Sequence, residues 1–323
     1  MMTIRPFEPT DQEYATRVAI HNAVWPAEPT TIDYMRFRDR VWPQEYFIQR
    51  LVAEVNGQIV ATANYCETHW SYRPGKYDIR INVHPDHQGQ GIGRAIYDHM
   101  MAELAKRPGT LTMLTSLTQE DRPAVIRFLT NRGFQQQMRF PSSALAVDQF
   151  DPTPFAGAVH RMTTRGIHIA TLAELQQRDP DWQAHVWELD CTCTLDEPLP
   201  DAFSPPTLAQ YIAEELETPS FLPEAWFMAL DGDRYVGMAV LYKDFADPDH
   251  LQAGFTAVRR EYRRLGIATA LKLRAIDFAK QYGAKRITTG NEEHNPMYQI
   301  NLRLGFQPLP AKLAFQKELP SDA

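Results

Sequence analysis

The chain is poor in cysteine, in long apolar runs and in positive charge, and each shortage excludes a class of protein. Its 323 residues include three cysteines, Cys66, Cys191 and Cys193, too few for a disulfide scaffold. A single residue separates Cys191 from Cys193, which is not the usual zinc spacing, and no second Cys/His pair stands nearby. We therefore expect no metal site.

The same shortages bear on location and partners. No stretch approaches the run of about 18 apolar residues that a membrane helix needs, and residues 1–6 lack the apolar run of a signal peptide. Lys and Arg number 33 against 40 Asp and Glu, giving a net charge of −7, whereas a nucleic-acid binder normally has a basic face. The sequence predicts a cytoplasmic protein with neither nucleic acid nor membrane as partner.

What the chain does contain is a strand, a glycine-rich turn and a helix in succession at residues 79–104. Branched apolar residues alternate from Ile79 to Val83, as in a half-buried strand, and Pro85 ends the strand. The turn reads Gln88-Gly89-Gln90-Gly91-Ile92-Gly93, and apolar residues three to four apart then indicate a helix. Glycine lets the backbone approach a ligand with its N–H groups, and the helix adds its dipole. This combination predicts a phosphate pocket.

The spacing of the turn narrows the ligand. A nucleotide triphosphate loop would need G-x-x-x-x-G-K-S/T, and the G-x-G-x-G of this turn fits a dinucleotide fingerprint poorly. The run V-x-P-x-x-Q-G-Q-G-I-G resembles the acetyl-coenzyme A signature of the GNAT superfamily of N-acyltransferases, in which Q/R-x-x-G-x-G/A wraps the coenzyme's pyrophosphate. The resemblance implies coenzyme contacts at Val83, Gln88, Gly89, Gln90, Gly91, Ile92, Gly93 and Arg94.

A second copy of the signature follows. Arg263 comes five residues after Val258 and begins R-x-x-G-x-A. Gly91 and Gly266 are 175 positions apart, and the glycines of the two G-F pairs, Gly133 and Gly305, are 172 apart, so a duplicated domain is predicted. The resemblance implies a second set of contacts, with charge-assisted contacts to phosphate from the two arginines. The set is Val258, Arg263, Arg264, Leu265, Gly266, Ile267, Ala268, Thr269, Asn291 and Asn295.

The fold predicted is α/β (α+β), with two tandem GNAT-like domains that each hold a mixed central sheet flanked by helices. A length of 323 residues suits two domains of about 150. We expect the first domain at residues 1–150, a proline-punctuated linker at 151–160 and the second domain at 161–323. Asn56-Gly57 is the strongest hairpin signal. Residues 135–140 and 144–150 resemble a final hairpin of the first domain.

The resemblance implies transfer of an acetyl group from acetyl-coenzyme A directly to a primary amine of a small molecule or peptide. Carboxylates at the ends of the hairpins, Glu67 and Asp244, are the candidate bases. Many members have a tyrosine acid four residues before the glycine of G-F, but Leu129 and Asn301 stand there. Tyr298, one helical turn from Asn301, is a substitute.

Alternatives stay open on sequence alone. The second repeat is favoured as the catalytic one because it has both arginines and Tyr298. In tandem members such as mycothiol synthase, one repeat commonly does the chemistry while the other is structural. A coenzyme A-binding sensor without transfer activity is a further alternative, and so is a protein that uses a different acyl donor or acts as a pseudo-symmetric interaction scaffold. The chain is expected to be a monomer or a homodimer, and nothing in the sequence identifies the acceptor.

Overall fold

The computed structural model describes residues 2–320, apart from the side chains of residues 159–161. It divides into two compact α/β units. Within the described residues, unit 1 holds residues 2–138, 200–204 and 313–320, and unit 2 holds residues 139–199 and 205–312. The compact units therefore differ from the expected division at residues 150 and 160. None of the described helices has the length and apolarity needed to cross a membrane.

Unit 1 is a mixed sheet with helices. Its elements are β1 Met2–Pro6, α1 Asp11–Val24, α2 Ile32–Arg40, β2 Ile48–Val55, β3 Gln58–Cys66, β4 Lys76–Val83, α3 Ile92–Leu104, β5 Met113–Gln119 and α4 Pro123–Thr130. Strands β1 to β4 pair antiparallel in sequence order, and β4 pairs parallel to β5. The last strand of the chain, β12 at Gln307–Glu318, follows β5 in the sheet, and its residues from Leu313 onward belong to unit 1.

Local signals explain several of these boundaries. Thr10 caps α1 by accepting a hydrogen bond from the Glu13 backbone N–H through its side chain. Asn56 and Gly57 both have positive φ, 53° and 80°, as a two-residue turn between β2 and β3 requires, which confirms the predicted hairpin. One face of α3, including Ile96 and Met100, packs into the core of unit 1.

Unit 2 repeats the plan. Its elements are α5 Ala158–Thr163, β7 Ile167–Thr171, α6 Leu172–Arg178, α7 Trp182–Thr194, α8 Leu208–Tyr211, a π turn at Ile212–Leu216, β8 Trp226–Asp231, β9 Arg234–Lys243, β10 His250–Val258, α9 Ile267–Tyr282, β11 Arg286–Gly290 and α10 Pro296–Arg303. Strands β7 to β10 pair antiparallel in sequence order, and β10 pairs parallel to β11.

The sheet of unit 2 is buried on both faces. Alternate residues of β8 enter different cores: Phe227 and Ala229 pack with α9, whereas Trp226 and Met228 pack with α6 and α7. A strand covered on both faces is apolar throughout, which explains the unbroken apolar run at residues 225–230.

The predicted final hairpin of the first repeat is wrong. Residues 135–146 form one strand, β6 at Gln135–Ala146, although Pro141, Ser142 and Ser143 are turn-forming residues. The part of β6 from Arg139 belongs to unit 2, where it pairs antiparallel with β11, as in the pair Ser143 and Thr289. Pairing with a strand distant in sequence overrides the local turn preference. From Arg139 onward, β6 of the first repeat thus belongs to unit 2, and from Leu313 onward, β12 of the second repeat belongs to unit 1.

Candidate active site

The two glycine turns have nearly the same backbone. Gly91 and Gly266 cap α3 and α9 in the left-handed conformation, with φ of 84° and 83°. Two residues earlier, Gly89 and Arg264 also have positive φ, 75° and 64°. A Cβ built on Gly91 or Gly266 would meet no atom within 4 Å. Each turn therefore leaves open space in front of a helix N-terminus.

That open space faces backbone donors. The first intrahelical bonds are donated by the N–H of Ala95 to Gly91 O and by that of Ala270 to Gly266 O, both 3.0 Å. The N–H groups just before them, those of residues 92–94 and 267–269, lie in the first helical turn, where no intrahelical acceptor exists. Together with the helix dipole they suit an anionic group such as a diphosphate.

The first residue of each signature ties the turn to the preceding strand. Gln88 donates from Nε2 to the carbonyl oxygen of Val83, and Arg263 donates from Nε to that of Val258, both at 3.0 Å. This shared contact gives a structural reason for the fixed spacing of five residues between valine and signature. Sequence reasoning assigned Arg263 to phosphate and missed this role.

In both units the strand before the turn parts from its parallel neighbour. The described pairs join β4 to β5 only from Lys76 to Asp78, and β10 to β11 only from His250 to Gln252, although both strands continue for several residues. The gap that opens lies beside the end of each strand, at Val83 and Val258. A ligand that enters such a gap can reach backbone groups that no strand neighbour occupies.

Of the two strands that precede the glycine turns, β4 and β10, only β10 has a bulge in its described antiparallel pairing. Its register with β9 shifts between Ala253 and Thr256, whereas β4 pairs with β3 without a shift from Asp78 to Val83. Gly254 lies in the bulge, and a Cβ there would come within 2.6 Å of the Tyr242 ring. The bulge leaves the backbone of Gly254 and Phe255 without register partners in β9.

A cavity of about 690 Å³ in unit 2 joins these features. It is lined by the end of β10, the turn, the start of α9, the segment between β11 and α10, α10 itself, and the end of α7 with the segment that follows it. The predicted residues on its wall are Val258, Arg263, Arg264, Gly266, Ile267, Ala268, Thr269 and Asn295, and its described lining does not include Leu265 or Asn291. In unit 1, the structure brings residues 88–94 together at the end of β4 in the same way.

Comparison with known proteins identifies the arrangement. The model of the Acetyltransferase (GNAT) family matches residues 13–134 and, separately, residues 184–306. The chain belongs to the GNAT acetyltransferase family. Because the family model matches twice, the chain is a tandem GNAT protein, as its repeated signature predicts.

Relatives and solved structures agree with this. N-alpha-acetyltransferase 30 of Schizosaccharomyces pombe is 36% identical over 87 residues, which make up 26% of this chain and 58% of that protein. The tandem GNAT protein from the clavulanic acid biosynthesis pathway has 19% identity, full coverage of both chains and a TM-score of 0.74. A GCN5-related N-acetyltransferase from Sphaerobacter thermophilus has 17% identity, a TM-score of 0.70, and coverage of 100% of this chain and 97% of its own. At these identities the two structures show the fold alone.

The GNAT cavity has acidic residues that sequence reasoning did not select. Asp196, in the segment after α7, accepts hydrogen bonds from Arg260 Nε at 2.8 Å and from Arg263 Nη2 at 2.5 Å. These guanidiniums, Arg260 above all, hold the pKa of the Asp196 carboxyl below its usual range. Glu197 lies on the cavity wall next to Asp196. The only sequence signal was the acidic character of residues 190–206, which does not specify contacts.

The predicted base of the second repeat is fully engaged. Asp244 Oδ2 is bonded to His250 Nδ1 at 3.0 Å and to Gln252 Nε2 at 3.1 Å, while Oδ1 accepts from two backbone N–H groups. Burial alone would raise the pKa of Asp244, but the bonds from His250, Ala246 and Gln252 outweigh it and lower that pKa. A carboxylate stabilised in this way is a poor proton acceptor.

The predicted base of the first repeat also has a structural contact. Glu67, half-buried, accepts a hydrogen bond at 2.9 Å from the backbone N–H of Phe47 through Oε2. This bond, with that from the Glu67 N–H to the Phe47 carbonyl, closes the open end of the β2–β3 hairpin. A catalytic role for Glu67 stays a prediction.

The candidate acid lies on α10. Tyr298 is half-buried, but the described lining of the cavity includes its neighbours Pro296 and Met297 and not Tyr298 itself. Asn301, at the position of the family's tyrosine, is fully buried and donates to Asn291 Oδ1 at 2.7 Å. Asn301 thereby orients Asn291, and the role of Tyr298 as acid stays a prediction.

One group of side chains at the cavity edge has metal-ligand chemistry. Glu292, Glu293 and His294 offer three ligand atoms within 4.8 Å of one another. Glu293 also lies 3.6 Å from Arg139, and Glu292 accepts a hydrogen bond from the His294 backbone N–H. Local contacts account for both carboxylates, so we assign no metal to them.

Proposed function

We propose that this chain transfers an acetyl group from acetyl-coenzyme A to a primary amine, and that the transfer takes place in unit 2. The observation that carries the proposal is a single cavity that joins the N-terminus of α9, the bulged strand β10 and the segment around α10. A phosphate cradle at one end and unpaired backbone at the other suit a long thioester carrier. The family supports acyl transfer in general.

Different segments of unit 2 would contact different parts of acetyl-coenzyme A. The N–H groups of Ile267, Ala268 and Thr269 would hold the diphosphate at the open N-terminus of α9. The pantetheine arm would lie in the gap beside Val258, where β10 and β11 have parted. Backbone N–H groups at the bulge would then donate to the thioester oxygen as it gains negative charge. One such donor is typically worth about 3 kcal/mol of barrier.

Direct transfer requires both substrates in the cavity together. The amine nitrogen forms a bond to the acetyl carbon, and the bond between that carbon and the sulfur of coenzyme A breaks. Holding the two reactants in one site removes much of the entropic cost of their encounter. The amine must lose a proton first, because a lysine-like amine has a pKa of about 10.4.

Unit 1 favours a second candidate role, binding without transfer. Its cradle is as open as that of unit 2, but the described pairs of β4 contain no bulge. At the end of β4, Trp25 donates from Nε1 to Asn82 Oδ1 at 2.9 Å, and the Arg122 guanidinium lies 4.4 Å from the Trp25 ring centroid. The lack of a bulge in the described pairs of β4 and these contacts at its end support a unit 1 that binds coenzyme A, while unit 2 carries out the transfer.

The test is thiol release from acetyl-coenzyme A in the presence of amines, by wild type and by Gly254→Ala. The added methyl group would displace the bulge, because Tyr242 and Val240 leave it no room. We expect the turnover number to fall about 100-fold while coenzyme A affinity stays within a few-fold.

Gly290→Ala is the matched control, since its methyl group would meet nothing closer than 4.0 Å. Thermal unfolding of both variants shows whether they are folded. Full activity in a folded Gly254→Ala variant would refute transfer at the bulge, and a wild type that binds no coenzyme A would refute the function.

A further inference from the structure

The Glu197 carboxyl lies on the wall of the unit 2 cavity, and the described residues give it no counter-charge. No described cation lies within ion-pair distance of it, and no described donor is hydrogen-bonded to it, although its backbone N–H donates to the Thr194 carbonyl at 3.0 Å. The nearest acid in sequence, Asp196, is engaged by Arg260 and Arg263 instead. An uncompensated carboxylate in a cavity is costly unless a ligand supplies the positive charge.

The surroundings of Glu197 favour its use by a ligand. Burial raises the pKa of the Glu197 carboxyl above its usual value. Phe255 from the bulge and Met297 and Ile300 from α10 line the same cavity. A charged group in an apolar wall suits a cation on an apolar body, since each part of such a ligand finds its match.

The position of Glu197 is fixed by its neighbour. The ion pairs of Asp196 with Arg260 and Arg263 fasten the segment after α7 to the turn that precedes α9. Glu197 thereby lines the same cavity as Thr256 and Phe255 of the bulged strand. The acidic segment between α7 and α8 therefore has a defined place in the site.

We propose that Glu197 receives the ammonium group of the acceptor, and that this acceptor is a primary amine on an apolar alkyl or aryl body. The proposal rests on the proposed function, because it takes acetyl-coenzyme A as the donor. The Glu197 carboxylate pairs with the ammonium and takes one proton, which leaves a neutral amine. The nitrogen lone pair forms a bond to the acetyl carbon, the carbon–sulfur bond breaks, and a second nitrogen proton passes to the thiolate. Glu197 then returns its proton to solvent.

The experiment measures thiol release from acetyl-coenzyme A with phenethylamine as acceptor, using the full-length chain. We expect Glu197→Gln to lower kcat/KM for phenethylamine about 100-fold, in the range of general-base effects, and to leave coenzyme A binding by calorimetry within twofold. Glu197→Asp should keep part of the activity because it retains the charge. The matched control is Glu224→Gln, which removes an exposed carboxylate of unit 2 outside the cavity lining and should behave as wild type.

A second amine separates proton removal from a structural effect. The second amine is phenethylamine fluorinated on the carbon next to its aminomethyl group, which lowers the pKa of the amine. A larger fraction of this amine is already neutral and needs no base. The loss of kcat/KM caused by Glu197→Gln should therefore be several-fold smaller with it. An equal defect with both amines would overturn the role as base. If wild type binds coenzyme A but does not acetylate phenethylamine, or if Glu197→Gln is fully active, the inference is wrong while the proposed function stands. If wild type binds no coenzyme A, both fall.

Discussion

Replacing Gly266 with glutamate should weaken coenzyme A binding in unit 2 about 30-fold, with only a modest loss of stability. The site has room for the side chain, because a Cβ there meets nothing within 4 Å. Its φ of 83° makes any L-residue strained, by about 1–2 kcal/mol. The stability cost is therefore strain alone, without a steric clash.

The effect on binding should be larger than the effect on folding. A carboxylate at Gly266 would lie at the N-terminus of α9, where the diphosphate is proposed to bind. Two like charges about 6 Å apart at an effective dielectric constant of about 20 repel by about 3 kcal/mol, and salt reduces this to about 2 kcal/mol. That corresponds to an affinity about 30-fold lower.

Isothermal titration calorimetry with coenzyme A measures this directly. Gly91→Glu makes the same change in unit 1, so the two variants assign the binding sites one at a time. Gly57→Glu and Gly232→Glu are matched controls in units 1 and 2: both glycines have positive φ and open space around the Cβ position. If the loop variants bound coenzyme A as tightly as these controls, neither glycine turn would hold the diphosphate.

Three further predictions concern the same unit. Asp196→Asn, made in the Gly91→Glu background, should bind coenzyme A about threefold more tightly, because it frees the charges of Arg260 and Arg263. Weaker binding of coenzyme A in calorimetry would contradict this. Arg264→Gly should raise the free energy of unfolding by about 0.5–1 kcal/mol, since it relieves a φ of 64°, and a lowered denaturant midpoint would count against it. Burial raises the pKa of Asp190 to about 7. The folded state therefore keeps a proton that the unfolded state loses above about pH 4, so stability contributed by this group falls from about pH 4 to 7. Asp190→Asn should remove that fall. Urea unfolding of both proteins at pH 5 and pH 8 tests this, and the same difference in the free energy of unfolding between them at both pH values would refute it.

Much of the candidate site was predictable from short stretches of sequence. The turns at Gly91 and Gly266 need positive φ, a strand before them and a helix after them, and each of these is encoded within about 15 residues. The Asn56-Gly57 hairpin followed from turn chemistry in the same way. Local rules do not forbid an arginine at φ 64°, and so Arg264 could stand where the first repeat has Gly89.

The catalytic candidates were harder to predict because a side chain's role depends on its contacts. Asp244 was selected for its place at a strand end, but His250 and Gln252 hold its carboxylate. Asp196 and Glu197 belong to a segment with no motif, and only the folded chain puts them beside the turn that precedes α9.

The family, the duplication and the two glycine turns could be predicted from short stretches of sequence, because backbone conformation at glycine turns and helix starts is a local property. The unit to which each part of β6 and β12 belongs, the bulge at Gly254 and the set of residues that line the cavity were evident only in the folded chain. These depend on pairing and packing between segments far apart in the chain. Their free energy comes from contacts that no short window of residues contains.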